Sequence, residues 1–374
     1  MRFNLSSTAL SSRLLTLSRV INSKNSLPIL DCFLFEVHNG QLTITSSDSE
    51  NVMCGTLNLD SCEGEGDFAV NSQTILDAVK ELPEQPLALD VNFDEMKIYI
   101  TYQNGSYNFP ILGADEYPRV QPISDNASSI TIDAAKLSDS INRSIFATAQ
   151  DELRPVMNGI YFDLTSDSLA IVASDGHKLV RNKNFSIKSE TPSAFILPKK
   201  PATLLKTVLA KDGGDVVIRF DERFADISFV DGNLSCRLIE GKYPNYNSVI
   251  PQDNPNRITI DRKSLIGALR RVLPFASDSS QLIRFHVSTG LLELNAEDID
   301  FSTSAKESVT CEYDGNAMSI GFKGSSMLEI LNNLESDDVV IQLADPSRAG
   351  VIVPCVQPEN EDVLMLIMPM LLNE

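Results

Sequence analysis

The octapeptide FNLSSTAL (Phe3 to Leu10) returns as ITIDAAKL (Ile130 to Leu137) and again as ITIDRKSL (Ile258 to Leu265), at offsets of 127 and 128 residues. Spacing that regular means three copies of one domain, so the 374 residues divide near 1–124, 125–252 and 253–374. Each copy opens with a short alternating strand, then a Ser or Asp placed to cap a helix, then apolar residues at helical spacing such as Leu10, Leu14, Leu17 and Ile21. A second period sits inside each copy. FAVNSQTIL from Phe68, FILPKKPATLL from Phe195 and IGFKGSSML from Ile320 lie 65, 65 and 62 residues after the three openings, again a strand running into a helix. Each domain is therefore two similar halves, and the six predicted helices are 8–24, 72–82, 134–150, 199–211, 262–276 and 323–333. Segments such as LTITSSD, MKIYITY, VVIRFD, ADISFV and LLELNA, with turns like HNGQ and VDGN, predict antiparallel meanders covered on one side by helices, an α+β fold. Two Pro-rich connectors built on Tyr-Pro, ADEYPRVQPISDN and GKYPNYNSVIPQDNPN, read as extended linkers between copies.

A net charge of −20 by itself argues against a nucleic-acid partner, but its distribution reverses that inference. The six predicted helices hold 15 basic and 4 acidic residues, a net +11, which leaves −31 on the rest of the chain. Pairs seven apart, Lys136 with Arg143, Lys199 with Lys206 and Lys263 with Arg270, fall within about 20° of each other around a helix. Such helices can bury one face on a sheet and offer cations, with Lys200 beside Lys199, on the other. A basic face on an acidic body suits a polyanion held on one side.

Other classes find little support. The six cysteines are scattered without Cys-x-x-Cys spacing, so neither a zinc site nor a disulfide framework is expected, and no cofactor motif occurs. MRFNLSSTALSS lacks the apolar run of a signal peptide, and VLMLIMPMLL is too short to span a bilayer, which predicts a cytoplasmic protein without membrane contact. The stretch SDGHKL, from Ser174, could orient the imidazole of His177 against Asp175 with Ser174 as nucleophile, or be an Asp-Gly turn with a partly buried His. No nucleophile elbow, metalloprotease helix or phosphate loop accompanies it, so no enzymatic activity is expected.

SLPIL near residue 26, SDGHKL, GKYPNY…VIP and the terminal IMPM stand in the order and spacing of the bacterial DNA polymerase III beta subunit, and the chain resembles that sliding-clamp family over its whole length. The resemblance implies three two-helix clamp domains and a head-to-tail homodimeric ring around double-stranded DNA, bound without regard to sequence and associated with the nucleoid. It also implies that SDGHKL is not catalytic. Ser174, Gly176, His177, Lys178 and Leu179 match one wall of a hydrophobic cleft between domains 2 and 3. Met157, Pro244, Ser248, Val249, Leu366, Met368, Pro369, Met370 and Leu371 match the rest. The family's replicative polymerase, clamp loader ATPase and repair factors insert short linear peptides there. Lys178 stands where the family often has Arg and Ser248 where it has a basic residue, so the polar contacts to a peptide are expected to differ. Lys24 matches a DNA-contacting loop position, while Pro155 and Val156 replace tyrosines of some relatives. Tyr107, Phe109 and Phe275 fall near positions that pack across the dimer seam. The competing reading is a repeat scaffold that binds only proteins, which leaves the basic helices idle.

Overall fold

The computed structural model describes residues 1–119, 122–209 and 213–372. Among them are six α-helices: α1 Ser7–Leu17, α2 Ser72–Val79, α3 Ala134–Ile145, α4 Lys199–Leu209, α5 Arg262–Val272 and α6 Gly324–Asn332. Ser6, Asn71 and Asp261 cap α1, α2 and α5 by accepting the N–H of Ala9, Thr74 and Ser264, and Asp133 accepts that of Lys136 in α3. The helices end earlier than their apolar periodicity suggests. After Leu17 the chain tightens into i→i+3 bonds, Val20 N–H to Leu17 O and Ile21 N–H to Ser18 O, and Pro274 converts the end of α5 into a short 3-10 turn. Residues 210 and 211, the end of the fourth predicted helix, lie outside the described residues.

Each repeat is built as strand, helix, three-stranded meander, then the same again, and the two halves exchange their leading strands. The strand ahead of the first helix pairs with the meander after the second: Arg2–Ser6 with Pro86–Asn92, Ser128–Asp133 with Asp215–Phe220, and Asn256–Asp261 with Asp338–Leu343. The strand ahead of the second helix pairs with the meander after the first: Gly66–Asn71 with Cys32–His38, Ser193–Pro198 with Gly159–Leu164, and Met318–Lys323 with Leu282–Ser288. All of these pairings are antiparallel. One sequence period thus recurs as one topology three times.

Neighbouring repeats are fused through their sheets. Asn51–Asn58 pairs with Gly232–Arg237, making one nine-stranded sheet from repeats 1 and 2, and Lys178–Asn184 pairs with Glu361–Ile367, making an eight-stranded sheet from repeats 2 and 3. Spatially the chain therefore forms two units that cut across the repeats, Met1–Ser138 with Lys200–Leu238 and Asp139–Lys199 with Ile239–Glu374. In the first unit the side chains of Phe3, Leu10, Leu14, Phe33, Phe35, Phe68 and Ile75 are fully buried. In the second, Leu265, Leu269, Phe285, Leu294, Phe322, Met327 and Ile330 share one core with Val180 and Met365 from the fused sheet. The connectors are not free linkers. Tyr117 is buried and donates to the carbonyl of Cys32, while Tyr243 and Tyr246 pack on the outer face of the eight-stranded sheet. The aromatic at each Tyr-Pro gives the connector an apolar anchor, and burial outweighs the extended bias of the prolines.

Candidate functional site

The stretch SDGHKL is a tight turn and the start of a strand, not a strand throughout. Asp175, Gly176 and His177 join Leu169–Ser174 to Lys178–Asn184, and Gly176 sits at φ 89°, a conformation that costs glycine little. Asp175 Oδ1 accepts the N–H groups of His177 (2.8 Å) and Lys178 (2.9 Å), and Oδ2 accepts Lys178 Nζ (2.7 Å). The carboxylate is thereby committed to the backbone and to a lysine, and the catalytic Asp/His reading has no geometry behind it. The same device recurs at the equivalent loops. Asp48 Oδ1 accepts from Glu50 and Asn51, and Asp298 Oδ1 from Asp300 and Phe301. Burial by itself would raise the Asp175 pKa, but Lys178 and the two N–H groups outweigh it and hold the carboxyl below its ordinary range.

Alternation along the strand then sorts the site residues. Leu179 and Leu366, paired across the sheet, face outward into an apolar cluster with Ala170, Val172, Tyr243, Tyr246 and Ile250. Val180 and Met365 face the helical core on the other side. Lys178 shares Val180's face. Its ammonium lies 2.7 Å from Asp175, 3.2 Å from Glu329 and 6.0 Å from the centre of the Phe146 ring, and the side chain is 11% exposed. The expectation that Lys178 lines the groove is thus corrected, because adjacent strand residues cannot both face outward. Burial disfavours its charge, yet Asp175 and Glu329 prevail and hold the pKa above the ordinary lysine value.

Around this floor the remaining predicted residues collect. Met157 is buried in the 3-10 turn Pro155–Met157, and its neighbour Val156 packs against the apolar cluster. Pro244, Ser248 and Val249 are exposed beside the buried anchors Tyr243, Tyr246 and Ile250, and Ser248 Oγ donates to its own turn at Asn245 O (2.7 Å). The tail is bound at two points. Met368 N–H donates to His177 O and Met370 N–H to Gly321 O, both at 2.8 Å. Met368 is 40% and Leu371 88% exposed, with Pro369 and Met370 half-buried. A buried apolar cluster is thus flanked by the exposed Pro244, Val249, Met368 and Leu371. Sequence reasoning missed Tyr161, which stacks on Tyr243 at 4.6 Å, Tyr246, whose hydroxyl donates to Asp163, and Gly321. The closely spaced Tyr243 and Tyr246 of the connector were the available signal for the first two.

The basic residues divide. Lys24, Lys206, Lys263 and Arg270 are exposed, and Lys136 and Lys199 are half-exposed. Arg143 is 6% exposed, bonded to Glu361 at 3.0 Å and Glu335 at 3.3 Å, and so does not present its charge outward. Lys200 Nζ donates to Val20 O, Asn22 Oδ1 and Asp48 Oδ2, tying α4 to the segment after α1. A seven-residue spacing gives the angle around a helix but not which flank meets an acidic neighbour. Tyr107 and Phe109 lie on the strand Gly105–Pro110, an end strand of the five-stranded sheet, and the 40%-exposed Phe275 lies in the 3-10 turn that contacts the end strand Thr303–Thr310. Among the described residues no helix is long and apolar enough to cross a membrane, and no group of three metal-ligating side chains occurs.

Family models for the DNA polymerase III beta subunit match residues 1–121 (N-terminal domain), 131–245 (central domain) and 247–371 (C-terminal domain). A beta sliding clamp of Pseudomonas aeruginosa is 27% identical over 371 residues, covering 99% of this chain and all of its own, and one from Caulobacter vibrioides is 25% identical, covering 98% and 99%. The crystal structure of a Pseudomonas aeruginosa sliding clamp bound to griselimycin superposes with a TM-score of 0.94 at 26% identity, and that of a Thermotoga maritima beta subunit with 0.89 at 25%, each covering both chains completely. The repeated two-helix domains, the fused sheets and these matches place the chain in the DNA polymerase III beta subunit family, the non-catalytic beta sliding clamps.

Proposed function

We propose that two copies of this chain close head to tail into a ring that encircles duplex DNA, and that the groove over Leu179 and Leu366 tethers replication and repair proteins by short peptides. The observation that carries the ring is the pattern of sheet fusion. In repeats 1 and 2 the last strand of the first meander pairs with the last strand of the following repeat's second meander. Two strands of that kind are left at sheet ends: Thr303–Thr310 in repeat 3 and Gly105–Pro110 in repeat 1. A second copy supplies each with the partner its equivalents already have, twice by symmetry, and removes both edges. Tyr107, Phe109 and Phe275 then belong to the seam, and the domains 1–124, 125–252 and 253–374 become six around the ring.

Sequence-independent DNA binding follows from the exposed Lys24, Lys206, Lys263 and Arg270 and the half-exposed Lys136 and Lys199, cations on helices and one loop of an acidic chain, suited to phosphates and not to base edges. Such a protein works in the cytoplasm on the nucleoid. For the groove, support comes from the apolar cluster and the exposed Val249, Met368 and Leu371 beside it. Griselimycin, the ligand of the Pseudomonas clamp, is the probe we choose. Calorimetric titration of griselimycin should show one site per chain, lost on substitution of Leu179 and Leu366 by Asp. Binding that survives both changes places the ligand elsewhere.

A further inference from the structure

We infer that Gly321 is the positioning residue for the groove's tail wall: the absence of a side chain there is what lets Met368–Leu372 lie against the sheet of repeat 3. The inference rests on the groove reading above and extends it to a residue outside the groove.

The three repeats share one connection. In each, the chain leaving the second meander crosses to the strand ahead of the second helix and bonds at the residue two positions before that helix's cap. In repeat 1 that residue is Ala69, paired with Leu112; in repeat 2 it is Ile196, whose carbonyl accepts Ile239 N–H at 3.1 Å; in repeat 3 it is Gly321, whose carbonyl accepts Met370 N–H at 2.8 Å. Ala69 and Ile196 carry side chains that join the outer apolar clusters beneath the Tyr117 and Tyr243 connectors. Gly321 has none, and the tail occupies that space. A Cβ built there would lie 2.7 Å from Met370 O, 2.8 Å from Leu282 Cδ1 and 2.8 Å from Leu372 Cδ2. Two of these are side-chain ends that can turn away, but the first is backbone.

Something must therefore move on substitution, and the bonding decides what. Gly321 lies in a strand held in register with Leu282–Ser288 along its whole length, whereas the tail hangs on two backbone bonds, to His177 O and to Gly321 O. The tail yields. Leu179 and Leu366 do not, since Leu366 is paired with both Leu179 and Val351. A methyl group at position 321 thus removes one wall of the groove and leaves its floor.

The experiment compares the full-length protein, Gly321→Ala, a chain truncated after Pro369, and the two changes combined. Griselimycin affinity is read by calorimetry, and the tail by the methionine methyl resonances. Gly321→Ala should weaken griselimycin at least tenfold and move the Met370 methyl toward the position of free methionine, with Met365 unmoved. In the truncated chain Gly321→Ala should have no further effect. Wild-type affinity in Gly321→Ala, an additive effect on truncation, or an unmoved Met370 methyl would overturn the inference. Failure of the unsubstituted protein to bind griselimycin would overturn the groove reading and this one with it, while the Met370 resonance reports the tail independently.

Discussion

Replacing Arg143 by Ala separates two accounts of the basic helices. From spacing alone Arg143 joins Lys136 on a DNA-facing stripe; in the fold its guanidinium is bonded to Glu361 at 3.0 Å, and both side chains are 7% exposed. Removing one member of a buried pair leaves the other desolvated and unpaired, which costs about 3–5 kcal/mol. Glu335 is 72% exposed and adds little. Urea unfolding should therefore lose about 3–5 kcal/mol in Arg143→Ala, most of it restored in Arg143→Ala combined with Glu361→Ala, because the second change removes the stranded carboxylate. The salt dependence of DNA binding should not change. A variant of full stability, with the slope of log affinity against log salt reduced by about one, would return Arg143 to the DNA and refute the reasoning.

Lys206→Glu, Lys263→Glu and Arg270→Glu should each lower that slope by roughly one without altering the melting temperature, read by DNA binding over a salt series. Lys200→Glu should instead destabilise the fold, since it removes one donor shared by Val20 O, Asn22 and Asp48 and sets a second carboxylate beside Asp48; unchanged melting would contradict this. Deleting residues 368–374 should leave a folded dimer that loads on DNA but no longer binds griselimycin, with collapse of the melting transition pointing instead to a core strand. The Asp175 carboxyl is depressed in the folded protein, so its contribution is full above the ordinary Asp pKa of about 3.9 and is lost as pH falls through the folded value. The stability difference between the parent and Asp175→Asn should therefore be flat near neutrality and shrink only in acid; a difference growing toward acid reverses the sign.

The repeats were legible because one topology demands one pattern. The apolar stripe of Leu10, Leu14 and Leu17, the caps Ser6, Asp133 and Asp261, and the His38–Gln41 hairpin with Asn39 and Gly40 at positive φ are local consequences of local sequence. The exchange of leading strands between half-domains was not legible, because it depends on which of two similar meanders a strand finds after the helix has folded back. Lys178 and Arg143 were misread for a related reason. Whether a cation points out or into an ion pair is decided by Glu329 and Glu361, distant in sequence and brought close only by the fused sheet. Gly321 gave no signal at all, since its meaning lies in the tail that crosses it.

The most direct test of the proposed ring is retention on DNA circles of one sequence, nicked or linearised, with the protein's molar mass measured in the same buffer by light scattering. A head-to-tail ring predicts twice the chain mass, with clamp loader and ATP leaving protein on nicked circles at high salt and linearisation releasing it from the ends. A stable monomer, or equal retention on circular and linear DNA, would contradict encirclement.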